Sequence, residues 1–388
     1  MDKIESVLTK IVANIIPGKA ELEKVLRSGK KLNVYFGIEP TFTRIHLGNA
    51  VPLRKLQEFV ELGHKVTFLI GDFTALIGDT SDKESERPVL TYEQIENNFQ
   101  TYKMQASKIV DFSKIKVHHN SEWLKKLNFA GIIKLTRQFS LNDFISRELI
   151  KKRLNEGKSI SLPEVLYPAM QGYDSYFMDT DIQIGGTDQV FNMQAGRTLQ
   201  KRLRGKESFV VETSFPLEGT DGRKMSKSWG NAIWLDDAPD EIFGKVMSLK
   251  DELIPKYFEM ATNVDTNQIM AIKDQLVKGK NPIDLKKELA FTIVSELHSK
   301  ADAKTAKEKF EKTFQKGEFA KEAKTIKGLA TLAETLASLP SVGSMSQAKR
   351  LLAQGAVDVS GETVKDGNYR PRSGEEVKVG KKTFIKIK

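Results

Sequence analysis

The chain has 388 residues, a mass of 43.6 kDa, a formal charge of +10 and a pI near 9.3. At about 150 residues per domain this gives two or three domains, and 29% charged with 39% hydrophobic residues excludes a disordered or fibrous chain. Cysteine is absent, which excludes a disulfide framework, thiolate metal sites and a cysteine nucleophile, while the positive surplus favours a polyanionic partner.

Residues 1–26 carry Asp2, Glu5, Glu21 and Glu23 without an uninterrupted apolar run, so they read neither as a signal nor as a transit peptide. No stretch approaches the roughly 20 apolar residues of a membrane span, and the expected compartment is the cytoplasm. Lys31–Phe36 is a β-prone run ending at Gly37. Leu53, Leu56, Phe59 and Val60 then recur at helical spacing, Gly63 marks a helix stop, and Val66–Ile70 resumes strand character. Strand, crossover helix and strand form the unit of a parallel sheet, so the loop after the first strand opens at a carboxyl edge, where such folds bind nucleotides.

Residues 84–160 read as largely helical, with a strand within Phe112–Asn120; Asp181–Ile184 and Phe209–Thr213 are two further strands. From Asp240 to about Lys327 the pattern is amphipathic helix, and the charged run 301–325 is expected to be solvated helix or linker. The tail changes character. Ser346 is a plausible cap for a short helix, and strand-like segments separated by Gly turns follow at Ala356–Gly361, from Glu376 and from Phe384.

Two strings carry chemistry. Gly37-Ile-Glu-Pro-Thr41 with His46-Leu-Gly-Asn49 lies in the strand-to-helix loop, where free helix N–H groups favour phosphate. Gly48 permits close backbone approach, and Thr41 and His46 can donate to phosphate oxygens. Alone, His46 reads as a helix cap or packed ring. The second string, Lys224-Met-Ser-Lys-Ser228, lies in the loop Gly219–Gly230. Two ammonium groups three residues apart can close over a triphosphate and neutralise charge developed during transfer. Their order and spacing make the pair specific.

These strings resemble the paired signatures of class I aminoacyl-tRNA synthetases. Tyr35–Thr41, Leu76–Asp79, Ser85–Arg87, Tyr167–Asp174 and Gln183–Gln189 extend the likeness to the bacterial-type tyrosyl-tRNA synthetase family, strongly over about residues 30–240. The tail resembles that family's small RNA-binding domain. The resemblance implies a Rossmann-like α/β parallel-sheet catalytic domain over 1–238 with a helical insertion at about 120–165. It also implies a helical domain over 239–328 and a small α/β RNA-binding domain over 329–388.

By the same resemblance, tyrosine and ATP form tyrosyl-adenylate, and the tyrosyl group then moves to the 3′ end of tRNA(Tyr). Thr41, His46 and Asn49 join Lys224 and Lys227 around the phosphates, with Lys83 and Arg87 assisting from another loop. Tyr35 and Asp174 receive the phenol, while Asp79, Tyr167 and Gln171 hold the ammonium. Gly37, Glu39, Gly48, Gly186, Asp188 and Gln189 surround the ATP or adenylate. Mg²⁺ travels with ATP, and the sequence offers no dedicated metal cage. A site built to pair a hydroxyl rejects the analogue lacking it by about 10⁴–10⁵, a range that tyrosyl-tRNA synthetases themselves supplied.

Some positions depart from the pattern. Glu39 stands where Asp is usual, Asn49 replaces a second His, and Thr80 replaces a frequent Pro. Asn at position 49 is also similar to tryptophanyl enzymes, whereas Gln171–Asp174 and the basic tail favour tyrosine. For tRNA, the tail supplies Lys349 and Arg350 on its helix, and Lys365, Arg370, Arg372, Lys381 and Lys382 beyond it. Tyr369 offers a ring for base stacking, against the ordinary alternative of a surface or core tyrosine. The family implies a homodimer, for which Phe129, Phe139, Leu141 and Phe144 are candidate apolar contacts, or equally core. The rivals are a non-catalytic RNA-binding paralogue, which should have lost the phosphate-binding residues, and an adenylyltransferase, which would not need the basic tail.

Overall fold

Asn33–Ile38, at the first strand position expected from the sequence, lies inside a six-stranded sheet. In chain order its strands are β1 (Val12–Ile16), β2 (Asn33–Ile38), β3 (Lys65–Ile70), β4 (Lys116–His119), β5 (Ile182–Gly186) and β6 (Phe209–Thr213). Their spatial order is β1-β6-β5-β2-β3-β4, parallel throughout except for β1, which pairs antiparallel with β6. The computed structural model describes residues 2–41, 43–78, 90–214, 216–312, 324–339, 342–380 and 383–388. They cluster into two compact units, Met1–Ala303 and Lys304–Lys388.

The helix Leu47–Glu61 crosses from β2 to β3 and buries Leu53, Leu56, Phe59 and Val60, the apolar face read from the sequence. β2 is paired on both sides, to β3 from Asn33↔Lys65 to Ile38↔Ile70 and to β5 from Val34↔Ile182. Strand order reverses here, with β3 on one side of β2 and β5 on the other. A crevice therefore opens at their carboxyl ends, the usual ligand position in such sheets. After β4 come four short helices, Ser121–Leu124, Phe129–Thr136, Leu141–Ile145 and Glu148–Asn155, then the long helix Leu162–Phe177. Pro239–Met247 and Pro282–Leu297 are among the helices that complete the first unit.

The edge strand β1 and the helices Lys3–Thr9 and Lys19–Arg27 add to the sequence reading. Only Ile15 in β1 is fully buried, so the strand lacks the period-two alternation that would announce it.

The second unit holds a five-stranded sheet, ordered β7-β11-β10-β8-β9, of β7 (Lys324–Ile326), β8 (Val357–Val359), β9 (Glu362–Thr363), β10 (Glu376–Val379) and β11 (Thr383–Ile387). Helices Leu332–Ala337 and Met345–Ala353 pack on it through Leu332, Leu336, Ala348 and Leu352. The cap of the latter is Ser344, whose hydroxyl accepts from the Gln347 N–H at 3.2 Å. Ser346 therefore lies in the first turn: the chain leaves the Gly343 turn extended at Ser344, so the helix starts one residue later, at Met345. Of the charged run, Lys300–Phe310 is helical and residues 313–323 lie outside the described residues. Among the described residues no helix is long and apolar enough to cross a membrane.

Candidate active site

The crevice beyond β2 and β5 is a cleft of about 840 Å³. Tyr35, Gly37, Glu39 and Thr41 reach it from β2 and its loop, and His46, Gly48 and Asn49 from the start of the next helix. Tyr167, Gln171 and Asp174 line it at positions i, i+4 and i+7 of Leu162–Phe177, one face of that helix. Gly186 reaches it at the end of β5 and Asp188 and Gln189 from the turn that follows, and Lys224 and Lys227 come from the glycine-bracketed loop. Asp79, Lys83 and Arg87 lie outside the described residues, as do Thr80, Lys381 and Lys382.

His46 is both a cap and a cleft residue. Its Nδ1 accepts the Asn49 N–H at 3.2 Å, so in the neutral ring the proton sits on Nε2. A side chain at position 48 would bring its Cβ within 3.2 Å of that ring, so the glycine leaves the imidazole its place. Burial, then the charges of Lys227 and Lys224, push the His46 imidazole down to about 4. At neutral pH His46 is therefore an uncharged donor, and the positive charge on this side of the cleft belongs to the lysines.

Tyr35 and Leu69 line the cleft and share a buried apolar cluster with Trp123 and Leu124, against which Phe73, Met170 and Tyr173 pack. Asp174 is only 2% exposed here. Trp123 Nε1–H donates to its Oδ1 at 2.7 Å and Asn120 Nδ2–H to its Oδ2 at 3.2 Å. Asn120 is fixed in turn: its Oδ1 accepts the Phe73 N–H at 2.9 Å and its Nδ2 also reaches Thr74 Oγ1 at 3.1 Å. Burial pushes the Asp174 carboxyl up to about 7, against those two donors, with Asp72 and Glu39 adding to the rise. The Tyr35 hydroxyl donates to Gln183 Oε1 at 3.2 Å, and burial, then the charge of Asp174, raises its pKa. Glu39, one methylene longer than the usual Asp, accepts the Tyr167 hydroxyl at 2.6 Å. The departure from pattern thus has a partner.

The two signature strings are joined by backbone. Leu47 N–H donates to Ile233 O and Leu235 N–H to Ile45 O, both at 2.9 Å, around an antiparallel bridge between His46 and Trp234. The lysine loop is thereby tied at its far end to the segment bearing His46. Its base is pinned by Asn231, whose side chain accepts from Ser226 N–H at 2.9 Å and donates to Asp221 at 2.7 Å. A Cβ at Gly219 would lie 2.4 Å from Asn231 O, so only glycine permits this approach.

Asp237, 5% exposed, closes the clamp. It accepts Trp234 N–H at 2.9 Å, Lys245 Nζ at 2.6 Å and Arg44 Nη2 at 2.9 Å, while the Arg44 guanidinium lies 4.6 Å over the Trp234 ring. Asp237→Ala is expected to cost about 2–4 kcal/mol, because three donors lose one buried acceptor. Urea unfolding measures it, and a loss under about 0.5 kcal/mol would contradict this account.

Residues 27–315 match the tRNA synthetases class I (W and Y), and residues 332–377 match the S4 domain. This chain belongs to the class I tRNA synthetases (W and Y). The tyrosine–tRNA ligase of Carboxydothermus hydrogenoformans is 43% identical, over 98% of this chain and 96% of its own. That of Thermotoga maritima is 40% identical, over 98% and 96%. In fold, this class I synthetase is similar to a C-terminally truncated mitochondrial tyrosyl-tRNA synthetase of Coccidioides posadasii. The TM-score is 0.65 at 21% identity, covering 79% of this chain and 92% of the other. It is also similar to the tyrosyl-tRNA synthetase of Archaeoglobus fulgidus complexed with L-tyrosine, with a TM-score of 0.60 at 22% identity, covering 79% and 99%.

In the second unit of this class I synthetase, Lys349, Arg350, Lys365, Arg370 and Arg372 are exposed. Tyr369 is packed against the local core, its hydroxyl donating to Glu375 at 2.7 Å, so it takes the ordinary reading and not the stacking one. The candidate interface residues divide: Phe144 is buried against Phe139 and Phe191, while Phe129 and Leu141 are 77% and 64% exposed. Asn120, Trp123, Trp234 and Asp237 are site-building residues that the motifs do not include, and Gln183, which accepts the Tyr35 hydroxyl, opens the Gln183–Gln189 motif, which gave it no role. A tryptophan just past the carboxyl end of β4 was the one available signal for the first pair.

Proposed function

We propose that this class I synthetase is a tyrosine–tRNA ligase: it activates L-tyrosine with ATP and transfers the tyrosyl group to the 3′ end of tRNA(Tyr). One observation carries the reading. A buried, doubly held carboxylate, Asp174, lines the same cleft as Tyr35, whose phenol feels its charge, and as His46 and the two loop lysines. A phenol that enters can add a hydrogen bond to the buried carboxylate, whose oxygens can each accept more than one donor, whereas a phenyl ring only covers that acceptor. Tyr167, Gln171 and Asp79 are assigned to the substrate ammonium, leaving its carboxylate oxygen to attack the α-phosphorus of ATP. The bond to the bridging oxygen breaks and pyrophosphate leaves. Positioning and charge neutralisation suffice, with Thr41, His46, Asn49, Lys83, Arg87, Lys224 and Lys227 assigned to the phosphates, and Gly37, Glu39, Gly48, Gly186, Asp188 and Gln189 to the adenylate. Mg²⁺ belongs to the ATP substrate. Tyrosine-dependent ATP–pyrophosphate exchange, followed by charging of tRNA, tests the whole. Exchange supported by tryptophan in place of tyrosine would overturn the pocket assignment.

Three working parts are proposed: a catalytic part over 1–238, a helical part over 239–328 and an RNA-binding part over 329–388. Lys349, Arg350, Arg370 and Arg372 are assigned to tRNA phosphates, with the salt dependence that such contacts bring. Removing residues from about 330 is expected to leave exchange within about twofold and weaken charging by about 10-fold or more. Equal loss of both in a folded truncation would refute the assignment. The working form is assigned as a cytoplasmic homodimer through the exposed Phe129, Ile133 and Leu141, of which Ile133 is 46% exposed. Sedimentation at micromolar concentration should give twice the chain mass, and a monomer would exclude it.

A further inference from the structure

Within the lysine loop one residue has no part in the clamp or the phosphate charges. Trp229 lines the cleft, yet its side chain is 48% exposed. The Arg223 guanidinium lies 4.5 Å from its ring centroid. Arg223 is itself anchored, with Nε and Nη2 at 2.8 and 2.6 Å from Asp221 Oδ2. Asp221 Oδ1 in turn accepts the buried Asn231 side chain at 2.7 Å. The carboxylate thus holds the guanidinium by its edge and the guanidinium lies over the indole, while about half of the ring's surface stays open.

We infer that Trp229, backed by Arg223, is a stacking platform for an adenine ring. The inference rests on the proposed ligase reading, which brings two adenines to this cleft: the base of ATP and the terminal adenosine of tRNA. Planar bases stack on aromatic side chains with enough gain to read kinetically. The phenol of tyrosine does not compete for the position, because Trp229 shares its loop with the phosphate-side lysines and not with the Tyr35–Asp174 wall.

The test uses the full chain as wild type, Trp229→Leu and Trp229→Phe. Wild-type exchange with tyrosine first checks the ligase reading on its own. Given that, Trp229→Leu is expected to raise one Michaelis constant about fivefold or more, tyrosine KM staying within twofold, and Trp229→Phe to restore most of the loss. If the constant for ATP in exchange rises, the platform serves the base of ATP. If exchange is unchanged and the constant for tRNA in charging rises, it serves the terminal adenosine. Both constants within twofold would overturn the inference. So would a fall in kcat with both constants unchanged, since that is the behaviour of a ring that only stiffens its loop.

Discussion

Lys227→Ala is expected to lower the maximal rate of tyrosine-dependent exchange by about 10²–10³, with tyrosine KM within about twofold. Charge accumulates on the departing pyrophosphate, and a preorganised cation is most effective where that charge develops. His46 cannot replace it, which leaves Lys224 as the remaining loop cation that lines the cleft. The imidazole is held at about 4, chiefly by burial and then by Lys227 and Lys224, so at pH 7–8 it stays neutral. Removing Lys227 relieves only the second of these causes and leaves the burial in place. Lys227→Arg should therefore retain more activity than Lys227→Ala, because it keeps the charge on the loop. A loss below about fivefold in Lys227→Ala, or a loss confined to tyrosine KM, would remove Lys227 from the phosphate side of the cleft.

Legibility of the site followed locality. His46, Asn49, Lys224 and Lys227 were readable because their chemistry is packed into contiguous strings, and a strand–helix–strand pattern told where the first string had to lie. The apolar face of Leu47–Glu61 was readable for the same reason, since burial repeats at the helical period. What stayed hidden depends on residues brought together from far apart in the chain. Asn120 and Trp123 act on Asp174 across about fifty positions, and the His46–Trp234 bridge spans more than 180. No periodicity encodes such pairs. Helix entry at Ser344 was missed at the shortest range of all, because two serines separated by one residue offer the same hydroxyl. Only the backbone leaving Gly343 distinguishes them. Phe129 and Phe144 were equally hydrophobic as letters, yet only Phe144 found partners in Phe139 and Phe191.

Asp174→Asn is expected to reduce kcat/KM for tyrosine by about 10–100-fold, the value of one charge-assisted hydrogen bond, while phenylalanine loses little. The same carboxyl makes a prediction about stability. It is pushed up to about 7 in the folded chain from 3.8 in the free group, chiefly by burial. Between those two values the folded state holds a proton that the unfolded state has released, so stability falls as pH rises. The penalty is absent below the lower value and fully present above the upper one. Without ligand, the melting temperature of Asp174→Asn relative to wild type should climb from about pH 4 to about pH 7 and then level off. A difference that stays constant across that range would mean that Asp174 does not titrate there, and the tyrosine KM of the wild type should then show no rise below pH 7. If both trends appear together, one buried carboxylate lowers stability at neutral pH and supplies the acceptor that separates tyrosine from phenylalanine.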